Sequence, residues 1–448
     1  MKYEEFKKAV IAAAEKCKLT DYELYYQTSE SVSIDTFRQE INEFSSSKEG
    51  GVCFRALVGD QMGYASTEDL TEEEAKAIVS RAVENAGVLE SAEQVFLGEA
   101  GGVYAEPEKK AYQPADTQEM IRTALEGQKI AYAADPKVTD GTSTNVIQMK
   151  ESVAILNSRG LDLFCENAAE VVVSAALVSD GSEMNNAYEI KVSPLSEVNL
   201  KEVVEKAVKK AVRKLGAGVA PTGNYPVVFA PRAMSSLLAT FASAFSAEAA
   251  QKGLSLLKGK EGEQIAVPKI TLVDDPFYKD NPLVRPFDAE GTPTVKKAVI
   301  ENGILKTLLH NLKTAAVSGV KTTGNASKSD YASTVGISPF TMILQPGTLT
   351  EEELLAKAGN GVYIDSLQGM HAGANPISGD FSLQSGGFMI ENGQKTEAVK
   401  AFTVAGNFFE LLKQVEAISS EVQLDGFGGN GSFAAPAVLV NGLSIAGK

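Results

Sequence analysis

The chain has 448 residues, and its 44% apolar content can bury cores for two or three domains of ordinary size. Its 58 acidic residues outnumber 42 basic ones for a formal charge of −16, and no lysine or arginine run is long enough to follow a phosphate backbone, which excludes nucleic acid as a direct partner. No 18 apolar residues run together, and the start MKYEEFKKAVIAAAEKCKLT lacks the apolar stretch and cleavage site of a secretory signal, so the expectation is a cytoplasmic protein with no membrane span.

The segment from Tyr3 to about Cys17 places Phe6, Val10 and Ala13 or Ala14 on one face, as a surface helix does. Alternating and β-branched runs then predict strands at Tyr22 to Thr28, Ser31 to Phe44 and Gly51 to Ala65, with a turn around Gly59. Thr71 with Glu74, and Asp116 with Glu119, have the capping-box spacing that starts helices. Val138 to Val192 reads as an antiparallel meander, punctuated at Asn157 to Gly160 and at Ser179 to Gly181. Leu200 to Leu215 is amphipathic, and the GAGVAPTG stretch after it reads as a linker, dividing the chain into domains at 1–217 and 224–448. The second half opens with the strand NYPVVFA and a long small-residue helix from Pro231 to about Gln251. It continues as short β runs, with helices at Thr350 to Ala358 and around Glu410 to Ile418. Strands and helices do not alternate regularly, so the fold class is α+β: N-terminal helices with antiparallel strands, then a β-rich domain with one long helix.

Chemistry-bearing residues are sparse. Cys17, Cys53 and Cys165 form neither a disulfide framework nor a CxxC pair, and read as small buried hydrophobes. The only histidines, His310 and His371, lie far apart with no HExxH-type pair, so no self-contained zinc site is expected, and His310 in an apolar run reads as structural. The segment GMHAGANPISGDFS, Gly369 to Ser382, holds His371, Asn375, Ser378 and Asp380. Those residue types suit acyl transfer, but with no GxSxG elbow a turn with self-bonded polar side chains is the simpler reading. GFGGNGS, Gly426 to Ser432, precedes a strand and not a helix, which excludes a dinucleotide cradle. The loop from Asp180 lacks the alternating oxygen ligands of a calcium site and reads as a hairpin tip.

Four phrases of the second half, ENGILKTLLHNLKTA, TTGNASKSDYAS, GMHAGANPISGDFSLQSGGFMIENG and VAGNFFELLKQVEAI, resemble in order and spacing the TldD/PmbA proteins, and more closely their PmbA (TldE) branch. GVCFRALVGDQMGYASTEDL is similar to the same family's first domain. The resemblance implies cytosolic proteolysis, in which a TldD-type zinc subunit, with an HExxxH helix and a distant cysteine ligand, pairs with a TldE-type subunit. In the matching helix, PRAMSSLLATFASAFSAEA, Ala239, Thr240 and Ala244 stand where the first histidine, the glutamate and the second histidine would be, and Phe427 stands at the cysteine position.

The resulting expectation is a non-catalytic subunit that binds no cofactor of its own, with zinc in a TldD-like partner. It forms a heterodimer or a homodimer, and His371, Asn375, Ser378 and Asp380 are candidates for contacting a peptide substrate. Two alternatives stay open: an autonomous peptidase using His371 with Ser378 or Asp380, and a regulatory protein acting on partner proteins, since the family has also been described as modulators of DNA gyrase.

Overall fold

Every second residue of the stretch Tyr22–Phe37 that carries a large side chain can reach one face, and the stretch forms a single long strand at the centre of a sheet. The structure, a computed structural model, describes residues 1–88, 96–106, 114–425 and 431–448. The first sheet has six strands in the order Gln61–Thr67, Glu40–Val58, Tyr22–Phe37, Ser143–Asn157, Asp162–Ser179 and Met184–Val192. All its pairings are antiparallel. Helices Tyr3–Lys16 and Glu72–Gly87 cover one part of it, burying Phe6, Val10 and Ile78 against Leu24 and Phe54. Helices Thr117–Ala134 and Leu200–Val212 cover another, through Ala131, Val204 and Val208. The expected caps are present: Thr71 Oγ1 accepts from the Glu74 N–H at 3.1 Å, and Asp116 Oδ1 from that of Glu119 at 2.7 Å.

One hairpin departs from the sequence reading. The run Ser31 to Phe44 is broken by a reversal at Arg38 and Gln39, whose φ angles are 51° and 61°. Two consecutive left-handed residues fit a primed turn, usually marked by glycine or asparagine. Here distant side chains hold it, since Gln39 N donates to Gln128 Oε1 and Arg38 Nε to Asp140 Oδ2.

In the second half the strands Gln394–Asn407, Asp380–Glu391, Gly361–Gln368, Gly223–Phe229 and Val438–Ala446 lie side by side in that order, and Val438–Ala446 also pairs back onto Gln394–Asn407, closing a five-stranded barrel. The strand Val415–Ile418 attaches beside Val438–Ala446. A further six-stranded sheet includes Leu272–Asp274, Thr341–Leu344, Ser432–Ala435 and Gln423–Asp425. Alternate barrel residues serve different cores. Val227, Phe229, Leu383 and Val404 pack with the helix Pro231–Phe241, whereas Val228, Tyr363 and Phe388 pack with the helix Glu351–Ala358. The chain is therefore α+β.

The long helix expected from Pro231 to Gln251 is divided. It ends at Phe241, continues as a 3-10 turn over Ala242–Phe245, and resumes as Ala247–Gln251. Ser246 is extended, with φ −78° and ψ 127°, because its neighbours bond to Leu309: Ala247 N donates to Leu309 O and Leu309 N to Phe245 O, both near the ideal length. The late helix is likewise shorter than expected, Phe408–Gln414, since Val415–Ile418 leaves it to join the barrel strand.

Candidate functional site

The segment Gly369 to Ser382 joins two barrel strands by way of a single turn of helix, Met370–Gly373, and a tight loop. The loop is closed by its own polar groups. Asn375 Oδ1 accepts from the N–H groups of Ile377 and Ser378, and Ser378 Oγ donates to Asp380 Oδ2 at 2.8 Å. Asn407 Nδ2 donates to Ser378 O and to Asp380 Oδ1, each at 2.9 Å. Bonds from Asn407 and Ser378 hold the Asp380 carboxyl below the usual carboxylate range. Ser378 therefore bonds to a carboxylate that binds no imidazole, and His371 stands apart on the exposed helical turn. The geometry brings Asn375, Ser378 and Asp380 together but assembles no nucleophile and base pair with His371.

Phe241, at the end of the helix Pro231–Phe241, stacks on Phe408 with centroids 4.6 Å apart and lies 6.3 Å from Phe381. These rings fasten the Gly369 to Ser382 segment to the helix. Ala239 is exposed, Ala244 is buried, and Thr240 Oγ1 donates to Ser236 O at 2.7 Å. At the other end of the helix, Arg232 Nε meets Asp425 Oδ1 at 3.0 Å and its guanidinium lies 4.4 Å from the Tyr188 ring centre. Phe427 and most of GFGGNGS lie outside the described residues.

The remaining expected positions are structural. His310 is buried, which pushes its pKa down and favours the neutral ring. Asp180 Oδ1 accepts from Ser182 and Glu183 at the tip of its own hairpin. No disulfide joins the cysteines; Cys53 is buried as expected and Cys165 is half-buried, whereas Cys17 is exposed at the end of its helix and is not a buried hydrophobe.

A group of buried charges at the seam between the first sheet and the second half had no signal in the sequence. Asp288 accepts three backbone N–H groups, from Glu290, Thr292 and Ala326, at 2.9 to 3.0 Å. Glu290 accepts from Leu312 N at 2.8 Å. Burial, and for Glu290 also the charge of Asp288, raises both carboxyl pKa values. A carboxyl with a raised folded pKa binds its proton more tightly in the native state, so its stabilisation is complete below the unfolded value and lost as pH rises through the folded one. The expected result is a urea midpoint that falls as pH rises from the ordinary carboxylate range through neutrality. Glu290→Gln, which keeps an acceptor for Leu312 N, should flatten that slope, and an unchanged slope would contradict the assignment.

Comparison with known proteins gives the ancestry. Residues 22–86 match the model of PmbA/TldA metallopeptidase domain 1, residues 111–215 the central domain, and residues 222–447 the C-terminal domain. The chain belongs to the TldD/PmbA family. Its relatives include a metalloprotease of Methanothermobacter thermautotrophicus, 28% identical over 91% of this chain and 90% of that protein. Among solved structures, TldE from Thermococcus kodakarensis aligns with TM-score 0.90 and 27% identity over 98% of this chain and all of that one. A Thermotoga maritima protein described as "a putative modulator of a DNA gyrase" aligns with TM-score 0.88 and 30% identity over 99% of this chain and all of that one.

Metallopeptidase relatives in the TldD/PmbA family raise the question of a metal. Among the described residues no group of three or more His, Cys, Asp or Glu side chains is placed to hold one. A catalytic zinc needs about three protein donors and an open position for water. The methyl groups of Ala239 and Ala244 and the back-bonded hydroxyl of Thr240 supply no such set, so the described residues do not fit a resident metal ion.

Proposed function

We propose that this TldD/PmbA family member is a PmbA/TldE-like subunit without a catalytic centre of its own, working in the cytoplasm within a TldD/TldE-type zinc-peptidase system. The observation that carries the reading is the helix Pro231–Phe241 and the 3-10 turn after it. The positions that the sequence resemblance assigns to the metal-binding motif hold Ala239, Thr240 and Ala244, and the Thr240 hydroxyl donates to the Ser236 carbonyl. General-base catalysis needs a carboxylate or imidazole within hydrogen-bond reach of the attacking water; Ala239, Thr240 and Ala244 offer neither, and the Asp425 carboxylate near the start of the helix is paired with Arg232. The high structural similarity to a TldE supports the same reading.

In this reading the chain contributes shape and peptide-contacting surface to a TldD-like partner, which carries the zinc. The loop of Asn375, Ser378 and Asp380, with His371 beside it, is the proposed contact region. Its side chains already satisfy one another, so it would present a fixed surface. The acidic surface argues against a direct nucleic-acid role.

The test is metal content and cleavage of an unstructured peptide by the purified chain, alone and mixed with a TldD-like subunit. The expected outcome is sub-stoichiometric zinc and no cleavage alone, with cleavage appearing in the mixture. Stoichiometric zinc in the lone chain, or cleavage by it, would overturn the proposal.

A further inference from the structure

The seam between the first sheet and the second half contains a cleft walled by Tyr25 and Glu151 on the sheet and by Arg285, Asp288 and Lys328 from loops of the second half. It encloses about 80 Å³. A single water needs roughly 10–15 Å³ of such space, so the cleft admits a carboxylate on a short stem.

The charges lining this cleft are committed, with one exception. Arg285 Nη2 pairs with Glu151 Oε2 at 2.5 Å, and Gln27 Nε2 approaches the other oxygen of Glu151 at 3.4 Å. Asp288 is occupied by its three backbone N–H groups. Lys328 is half-buried with its Nζ 4.5 Å from the centre of the Tyr25 ring, and among the described residues no carboxylate or carbonyl lies within hydrogen-bond reach of it. Arg55 nearby opposes its charge, while Glu23, Asp330 and Cys53 act on it only from a distance. Lys328 Nζ is partly desolvated, which costs free energy unless an anion meets it, and a ring face replaces only part of the lost hydration. Burial correspondingly lowers the Lys328 pKa.

We propose that this cleft is a carboxylate-binding site in which Lys328 Nζ, seated over Tyr25, is the recognising cation and the Arg285–Glu151 pair forms the opposite wall. The ligand class is a small carboxylic acid or the free C-terminal carboxylate of a short peptide. The site lies on this chain alone and stands independently of any peptidase partner.

The experiment is isothermal titration of the full chain, at low ionic strength, with tri-alanine, tri-alanine amide and acetate. Tri-alanine should bind and its amide should not, because only the acid carries the anion. Lys328→Met should weaken binding roughly tenfold to a hundredfold, the range for a hydrogen bond to a charged group, while Lys328→Arg retains most of it. Acetate binding as tightly as tri-alanine identifies a small acid as the ligand, and tighter tri-alanine binding identifies a chain end. Equal binding of acid and amide, no binding of either acid, or unchanged affinity in Lys328→Met would overturn the proposal. The acid and amide comparison uses the wild-type chain, so it decides the matter even where a variant folds poorly.

Discussion

Arg55→Leu is expected to cost about 3–5 kcal/mol of stability, more than removing both members of its ion pair together. Arg55 and Glu23 face each other directly across two central strands of the first sheet. Their side chains are 8% and 3% exposed, and the Nε to Oε1 distance is 2.8 Å. Nη2 lies equally near the same oxygen but off the hydrogen-bond direction, and Glu23 Oε2 has no partner. Burial works against the guanidinium charge, yet attraction to Glu23 outweighs it and holds the Arg55 pKa above its ordinary value. Taking away only the arginine strands a carboxylate in a dry environment that already contains Glu290. The double variant Glu23→Leu with Arg55→Leu leaves no charge behind and should recover most of the loss. Urea unfolding of the two single variants and the double variant measures this directly. A loss below about 1 kcal/mol in Arg55→Leu would show that the pair is solvated in the native state.

Phe241→Ala should be comparably severe, about 3–5 kcal/mol, because a fully buried ring leaves a cavity its neighbours cannot close. Its position gives a second consequence. Phe241 touches Phe408, which follows the Asn407 side chain that holds the Ser378 and Asp380 loop, and Phe381, which directly follows Asp380. Amide exchange in Gly369 to Ser382 should therefore accelerate along with the drop in melting temperature. Phe241→Leu, which refills most of the space, should restore slow exchange. Unaltered exchange in the alanine variant would mean the loop is held by its polar bonds alone.

Local signals were legible in the sequence where the chain itself supplies the partner. Thr71 and Asp116 cap their helices, and the reversals at Asn157 to Gly160 and Ser179 to Gly181 fall where glycine and asparagine permit them. What escaped was decided by distant groups. Arg38 and Gln39 turn because Asp140 and Gln128 hold them, and Ser246 breaks a run of good helix formers because the strand-like segment at Leu309 lies alongside. Of the candidate site, the closed loop of Asn375, Ser378 and Asp380 was readable as a self-bonded turn. The association of Lys328 with Tyr25 was not, since Lys328 lies in the phrase TTGNASKSDYAS of the second half and meets Tyr25 of the first sheet only across the seam.

The barrel's closure also has a temporal meaning. The strand Val438–Ala446 pairs with Gly223–Phe229, Gln394–Asn407 and Val415–Ile418, and the first of these was synthesised about 200 residues earlier. Until it arrives, a nascent chain on the ribosome carries unsatisfied strand borders, each able to recruit a stray polypeptide. A chain that stalls before this strand emerges keeps those borders open.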